Sequence, residues 1–258
     1  ISACLVGSEM CIRDRGYVAD AQGARVAGPD GQMVMAWHES QAMAQHHMRV
    51  VEAGYRHEVA INAHEPFKDT GLRRTYPNII SREGQRGMEY SAWGNPGNPP
   101  EHEPNLVFTR LLAGPMDYTP GIFGMETRSP GGVQTTWAKQ LALYVVIYSP
   151  IQMAADLLVN YEANPGPFQF IKDVPVDWSE SRTLDAAMGD YVVTVRKQRG
   201  TDVLALGAVT DEHPRVLKAP LDFLDAGRRY RAEIYRDGPN ADYRGCLLYT
   251  SDAADDMQ

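Results

Sequence analysis

Residues 40–66 read SQAMAQHHMRVVEAGYRHEVAINAHEP, and this stretch decides the fold class. Ser40 is a helix N-cap residue type, able to accept a hydrogen bond from the first turn of a helix running to about residue 57. Met43, His47, Val50, Val51 and Gly54 fall on one stripe at helical spacing, the face such a helix would bury. Residues 59–63 are then short, apolar and β-prone, and they run into His64-Glu65-Pro66. A helix, a strand and polar residues just past the strand's carboxyl end form the repeating unit of a parallel α/β fold. In a (β/α)8 barrel that end of the strand faces the active site.

Outward from this unit the pattern is uneven. Residues 16–37 hold several glycines and one clear turn, Pro29-Asp30-Gly31. Residues 66–104 are rich in Gly, Pro, Asn and Arg; an irregular stretch of that length inside a compact domain is usually functional or disordered, and its many charged and aromatic residues favour functional. Residues 104–113 return to a helical pattern. Residues 114–121, GPMDYTPG, read as a short strand opening into a loop. Trp137, Leu141, Tyr144, Val145 and Tyr148 form a second helical stripe, stopped by Pro150, and helix-prone sequence continues over 154–158 and 168–171.

After Trp178 the texture changes. Residues 190–197, 202–209 and 230–236 read as strands separated by turns, with Asp237-Gly238 as a turn signal. The expected fold class is α/β: the C-terminal part of a (β/α)8 TIM barrel over residues 16–178, followed by a small antiparallel β-domain over 179–245.

The two ends, residues 1–15 and 246–258, resemble translated sequencing-adapter sequence and are set aside from the fold reading. All three cysteines, Cys4, Cys11 and Cys246, lie in these ends, so they say nothing of the redox compartment. No apolar run approaches the roughly 18 residues that span a bilayer. The longest, residues 141–150, contains two tyrosines and a serine. A net charge of −8 argues against a nucleic-acid partner, which would favour a basic face.

The chemistry concentrates in residues 61–90. Glu65, Glu83 and Glu89 share that segment with His64, Arg73, Arg74 and Arg86. Carboxylates at a barrel mouth can divide acid and base work, one protonating a leaving oxygen and another activating water. Several together can hold a hard cation. On composition alone, a solvated network of glutamate–arginine ion pairs accounts for the same residues.

The segment resembles glycoside hydrolase family 97. The resemblance rests on His64-Glu65, residues 70–78 (TGLRRTYPN), Glu83, residues 86–89 (RGME), 108–110 (FTR) and 114–121 (GPMDYTPG), and later on 141–145, Ser149-Pro150, 169–173 and Ala241-Asp242-Tyr243. It covers about residues 16–245. It implies α-glucosidase-like hydrolysis in a (β/α)8 barrel with Ca2+ at the site, an oligosaccharide substrate, and a periplasmic or secreted setting.

Position by position, the resemblance makes Glu89 the general acid and Glu65 one of two carboxylates that activate water in the inverting branch. It makes His64 a sugar contact, and Glu65, Glu83 and Glu89 calcium ligands. Glutamate at position 65 favours inversion over retention. Inverting carboxyls stand about 6.5–9.5 Å apart to admit a water, retaining ones about 5–5.5 Å. The second water-activating glutamate and the earlier barrel strands of the family pattern lie upstream of residue 16, so this chain alone is expected to be inactive.

Two rival functions stand beside this one: a retaining α-galactosidase of the same family, and a carbohydrate-binding fragment built on the β-region after residue 180. Other candidates carry less. His38, Glu39, His46 and His47 suggest a metal, but adjacent histidines on a helix point to different faces, and His64-Glu65 lacks the second histidine of a His-Glu-x-x-His helix. Asp117 ends an expected strand and suits either a site role or a structural hydrogen bond. Trp37, Tyr76 and Trp93 could stack on sugar faces. Trp137 lies on a helical stripe and reads as core.

Overall fold

The computed structural model describes residues 18–20, 23–27, 30–36, 39–64, 66–124, 132–238 and 247–250. The described chain divides into two compact units. One takes the chain up to Gln85 with Ala113–Asp117 and Ser149–Ile151. The other takes Arg86–Leu112, Tyr118–Tyr148 and the chain from Gln152 on.

The first unit opens with an antiparallel sheet of β1 (Val18–Asp20), β2 (Gly23–Ala27) and β3 (Met33–Ala36), in that order. Helix α1 (Gln41–Arg56) follows. Ser40 caps it as expected, its hydroxyl accepting from the Met43 amide at 3.3 Å. Met43, His47 and Val51 of the expected stripe are buried.

Strand β4 (Ile61–Ala63) runs parallel to β5 (Ile79–Arg82), with Ile61 opposite Ile79 and Ala63 opposite Arg82. Gly54 permits the close approach of α1 to this pair: a Cβ there would stand 2.8 Å from Ile61 Cδ1. The Asn78 amide donates to the carbonyls of Val51 and Val59, which ties the helix to the strand it precedes. Beyond the ladder, Glu83 N donates to Ala63 O at 2.8 Å and Asp117 N to Arg82 O at 2.9 Å. Residues 114–121 were expected to include a strand. No strand forms there, but its backbone does pair with the end of β5 through Asp117.

The second unit holds α2 (Tyr90–Trp93), α3 (His102–Phe108), α4 (Trp137–Val146), α5 (Leu158–Ala163) and α6 (Pro165–Asp173). Thr136 caps α4, accepting from Lys139 N at 3.3 Å, and Leu141, Leu143, Tyr144, Val145 and Val146 are buried. The helix ends at Val146, so Tyr148 lies outside it. The expected helix over 154–158 starts only at Leu158. Asp156 explains the delay: its carboxylate accepts from the amides of Phe123, Gly124 and Leu157, which holds that turn out of helical geometry.

An antiparallel sheet follows, ordered β6 (Trp178–Ala187), β7 (Tyr191–Gln198) and β8 (Leu204–Thr210). A further pair joins β9 (Ile234–Asp237) to β10 (Leu247–Thr250). Helix α4 lies against β7 and β8. Gly207 permits the contact, since a Cβ there would stand 2.8 Å from Val145 Cβ and 3.0 Å from Ala142 O. Phe123, Leu141 and Tyr161 form the apolar centre under Trp137, Phe168 and Phe170. Trp137 is therefore core, as its stripe indicated, and its indole N–H donates to Phe123 O at 3.1 Å.

The architecture is thus α/β with an antiparallel β region toward the C-terminus. Among the described residues, no helix is long and apolar enough to cross a membrane. Glu65, Trp37, His38 and Ala241-Asp242-Tyr243 lie outside the described residues, as do residues 1–15 and most of 246–258.

Candidate active site

In the first unit the polar residues gather at the carboxyl ends of the parallel strands. Asn62 and His64 come from β4 and its end, Glu83 follows β5, and Asp117 lies on the paired segment. All four are buried, Asp117 to 1% exposure. Asp117 Oδ2 accepts from the Asn62 amide at 2.6 Å and stands 2.7 Å from His64 Nε2. A carboxylate accepts only, so His64 carries a proton on Nε2. Its Nδ1 then faces Glu83 Oε2 at 4.0 Å.

Two arginines of the same segment form an ion-pair network around Asp69. Arg73 pairs with Asp69, and Arg82 reaches the same oxygen at 3.5 Å while donating to Phe67 O. Burial lowers the Arg82 pKa from its ordinary value, and Asp69 works against that shift. Tyr76 donates to Glu52 on α1 and packs under that helix, so it serves structure. His47 is buried against Phe67, and the His46 ring sits edge-on to it.

In the second unit Glu89 occupies the turn that opens α2, and its side chain is exposed. Its surroundings are built in detail. Met88 N donates to Tyr118 O at 2.9 Å. Asn98 Nδ2 donates to Gly87 O at 2.8 Å. The Gln140 side chain meets Met88 Sδ and accepts from the amides of Gly121 and Ile122. The Thr119 hydroxyl stands 2.5 Å from Glu89 Oε2. Gly87 leaves the space this carboxylate fills, since a Cβ there would lie 2.6 Å from Oε2.

Beneath the turn, Tyr118 donates to Glu103 at 2.7 Å, and Lys139 pairs with Glu103 at 3.1 Å. Burial, and then Glu103, push the Tyr118 phenol well above its ordinary value, so it stays protonated. Trp93 is 70% exposed and available for ring stacking.

Of the expected site residues, His64 and Glu83 thus share the strand ends of the first unit, and Glu89 stands on the second. Sequence reading singled out neither Asn98, Glu103, Thr119 nor Gln140. Asn98 and Thr119 sit in loops, and Glu103 and Gln140 on α3 and α4; the one signal was the density of turn and polar residues in 114–121, which holds Thr119.

The chain is similar to known proteins along most of its length. A family model described as glycoside hydrolase 97 matches residues 12–85, and one described as glycosyl-hydrolase 97 C-terminal, oligomerisation, matches residues 177–255. A retaining alpha-galactosidase of Bacteroides thetaiotaomicron is 35% identical over 80% of this chain and 32% of its own length. A glycoside hydrolase family 97 enzyme of Pseudoalteromonas sp. strain K8, in complex with acarbose, is 48% identical with a TM-score of 0.82, covering 94% of this chain and 41% of that one. A variant of that enzyme in complex with panose is 47% identical, with the same TM-score and shares. The chain spans about a third of the curated relative and about two fifths of the solved ones.

Proposed function

Because the chain belongs to glycoside hydrolase family 97, we propose that the full-length protein carrying it hydrolyses α-glucosidic bonds in oligosaccharides, in a (β/α)8 barrel and with inversion. The observation that carries the sugar class is the 47–48% identity to an enzyme whose structures hold acarbose and panose, against 35% to the retaining alpha-galactosidase. Panose is an oligosaccharide of α-linked glucose. Glutamate at position 65 supports inversion.

In this reading Glu89 protonates the glycosidic oxygen as the bond to the anomeric carbon breaks. Glu65, with a partner carboxylate supplied elsewhere in the full-length protein, takes a proton from the attacking water. His64, held by Asp117, contacts the sugar. Glu65, Glu83 and Glu89 would hold Ca2+. Hard carboxylate oxygens are the donors that ion takes. When bound, the ion would neutralise the carboxylates and fix their geometry.

The second reading, a retaining α-galactosidase, is favoured by the curated relative. One experiment separates the two. The full-length protein is given aryl α-glucoside and aryl α-galactoside, and the first-released anomer is followed by NMR, with Glu89→Gln alongside. β-Glucose as first product and a nearly inactive variant support the proposal. α-Galactose as first product replaces it with the second reading. A fully active Glu89→Gln removes Glu89 as the acid.

A further inference from the structure

The single turn of α2 has two sides. Met88, Ser91 and Gly94 are buried, while Glu89, Ala92 and Trp93 are exposed. Spacings of three and four residues put these last three on one face of the turn. Trp93 is thus the large apolar side chain beside the carboxylate on which the proposed chemistry depends, and at 70% exposure most of its indole is bare. The ring is nevertheless held. Its centroid stands 4.6 Å from that of Tyr90, with the two planes 70° apart. The Arg86 guanidinium lies over the Tyr90 ring in turn, 4.7 Å from its centroid. Gly94 gives Tyr90 its place, since a Cβ there would clash with that ring. An indole held by its neighbour yet open to solvent is a preorganised stacking surface, because little side-chain freedom is lost when a ligand settles on it.

We infer that Trp93 is a sugar platform: its indole stacks on the pyranose ring at the leaving-group side of the scissile bond, and so selects oligosaccharides over simple glucosides. This rests on the reading that Glu89 faces the glycosidic oxygen. A group acting on that oxygen lies within about 2.6–3.2 Å of it, and the leaving sugar is bonded to the same atom. Side chains one helical turn apart have Cβ atoms about 5–6 Å apart, a span comparable to one sugar ring, so Trp93 stands at the leaving sugar. Its exposure fits that side. The reacting ring is enclosed to exclude water, whereas the leaving part of an oligosaccharide extends outward. The chemistry fits as well. A pyranose with equatorial hydroxyls, as in glucose, has C–H groups on both faces, and their partial positive charge is drawn to the negative face of an indole. The hydroxyls stay at the rim, in water. An axial hydroxyl, as on C4 of galactose, spoils one face, so the ligand class is a gluco-configured pyranose.

The test uses the full-length protein with Trp93→Ala, Trp93→Phe and Glu89→Gln. Two substrates are compared: panose, whose leaving group is a sugar, and α-glucosyl fluoride, whose leaving group is a single atom that Trp93 cannot grip. The ratio of kcat/KM on panose to that on the fluoride should fall about 10- to 100-fold in Trp93→Ala, the range for an aromatic anchor cut back to alanine. The loss should sit in KM, because a stacked leaving sugar is held alike before and during bond cleavage. Trp93→Phe keeps a ring and should lie between Trp93→Ala and the parent. A uniform fall on both substrates leaves the ratio unchanged and marks Trp93 as structural only. That outcome, or a Trp93→Phe no better than Trp93→Ala, overturns the platform alone when Glu89→Gln still loses panose turnover far more than fluoride turnover, which needs little acid assistance. Equal loss of both substrates in Glu89→Gln overturns the reading of Glu89 and this inference with it. A parent that does not cleave panose overturns the inference outright.

Discussion

Asp117 Oδ2 is shared between His64 Nε2, 2.7 Å away, and the Asn62 amide nitrogen, 2.6 Å away, so one buried carboxylate oxygen orients two side chains at the end of β4. The arrangement fixes which ring nitrogen of His64 carries its proton and which one turns toward Glu83.

Asp117→Leu should break this arrangement while keeping the side chain's size. An isobutyl group accepts from neither partner. The buried Asn62 amide and His64 Nε2–H lose this acceptor, at a cost of about 1–3 kcal/mol. Denaturant unfolding of the full-length protein should show that loss, and sugar affinity should fall as His64 loses its fixed orientation. Unchanged stability together with unchanged affinity would mean that the pair is incidental.

Gly87→Ala separates activity from folding. The added methyl would meet Glu89 Oε2 at 2.6 Å, the free end of a flexible side chain, so the carboxylate moves and the fold does not. Gly87 does not have a positive φ, so alanine adds no backbone strain. The melting temperature should stay within a few degrees of the parent. A displaced acid should lower kcat by about 100-fold, the scale of loss expected from a misplacement near 1 Å. Parental kcat in a folded variant would show that the Glu89 position is not critical.

The parts of this molecule that were legible in the sequence share a physical cause. Helix α1 and strand β4 announced themselves because a cap at Ser40, a buried helical stripe and a short, β-prone, fully buried strand all report burial. Strand β3 did not, because Met33, Val34 and Met35 are exposed and the strand shows no alternation. Strand β5 is short and sits among polar and turn residues, where no period can be read. The candidate carboxylates were legible through family resemblance, and their supports were not. Asn98, Thr119 and Gln140 act through hydrogen bonds to residues distant in sequence, which leave no periodic trace.

Glu83→Gln tests the calcium assignment. An amide oxygen is a weaker, uncharged ligand, and even loss of an outer-shell partner typically costs 10–100-fold in metal affinity, so losing a ligand should cost at least about tenfold. Titration of chelator-stripped full-length protein with Ca2+, read by calorimetry, should show that drop. Equal affinity in the variant would remove Glu83 from the ligand set.

Arg196 links the β-sheet to α4. Its guanidinium donates to the carbonyls of Val145 and Val146 at 2.5 and 3.1 Å and to the Ser181 hydroxyl at 2.6 Å. Burial pulls its pKa below the ordinary value, but an arginine keeps its charge. The positive group also meets the negative end of the helix. Arg196→Met removes these bonds and also the cost of burying a charge, so the net loss should be about 3 kcal/mol. Denaturant unfolding checks this, and a stability equal to the parent would mean that desolvation cancels the bonds entirely.

The sheet region also carries a pH signature. Arg215 grips both oxygens of Asp211, and the His213 amide and ring add two more bonds. The Arg215 hydrogen bonds, foremost, hold the Asp211 carboxyl far below the usual range. A depressed folded value means that the stabilisation is complete above the unfolded pKa, near 3.9, and drains away as pH falls through the folded one. His213 behaves oppositely. Its hydrogen bond to Asp211 raises its pKa, so its contribution is complete below about 6.5 and is lost as pH rises through the folded value. The stability difference between the parent and Asp211→Asn should therefore be greatest near pH 5 to 6. It should shrink on the acid side below about pH 4 and decline modestly above neutrality. Urea unfolding of both proteins from pH 2 to pH 9 measures the curve, and a difference that does not vary with pH would show that the Asp211 cluster does not titrate with folding.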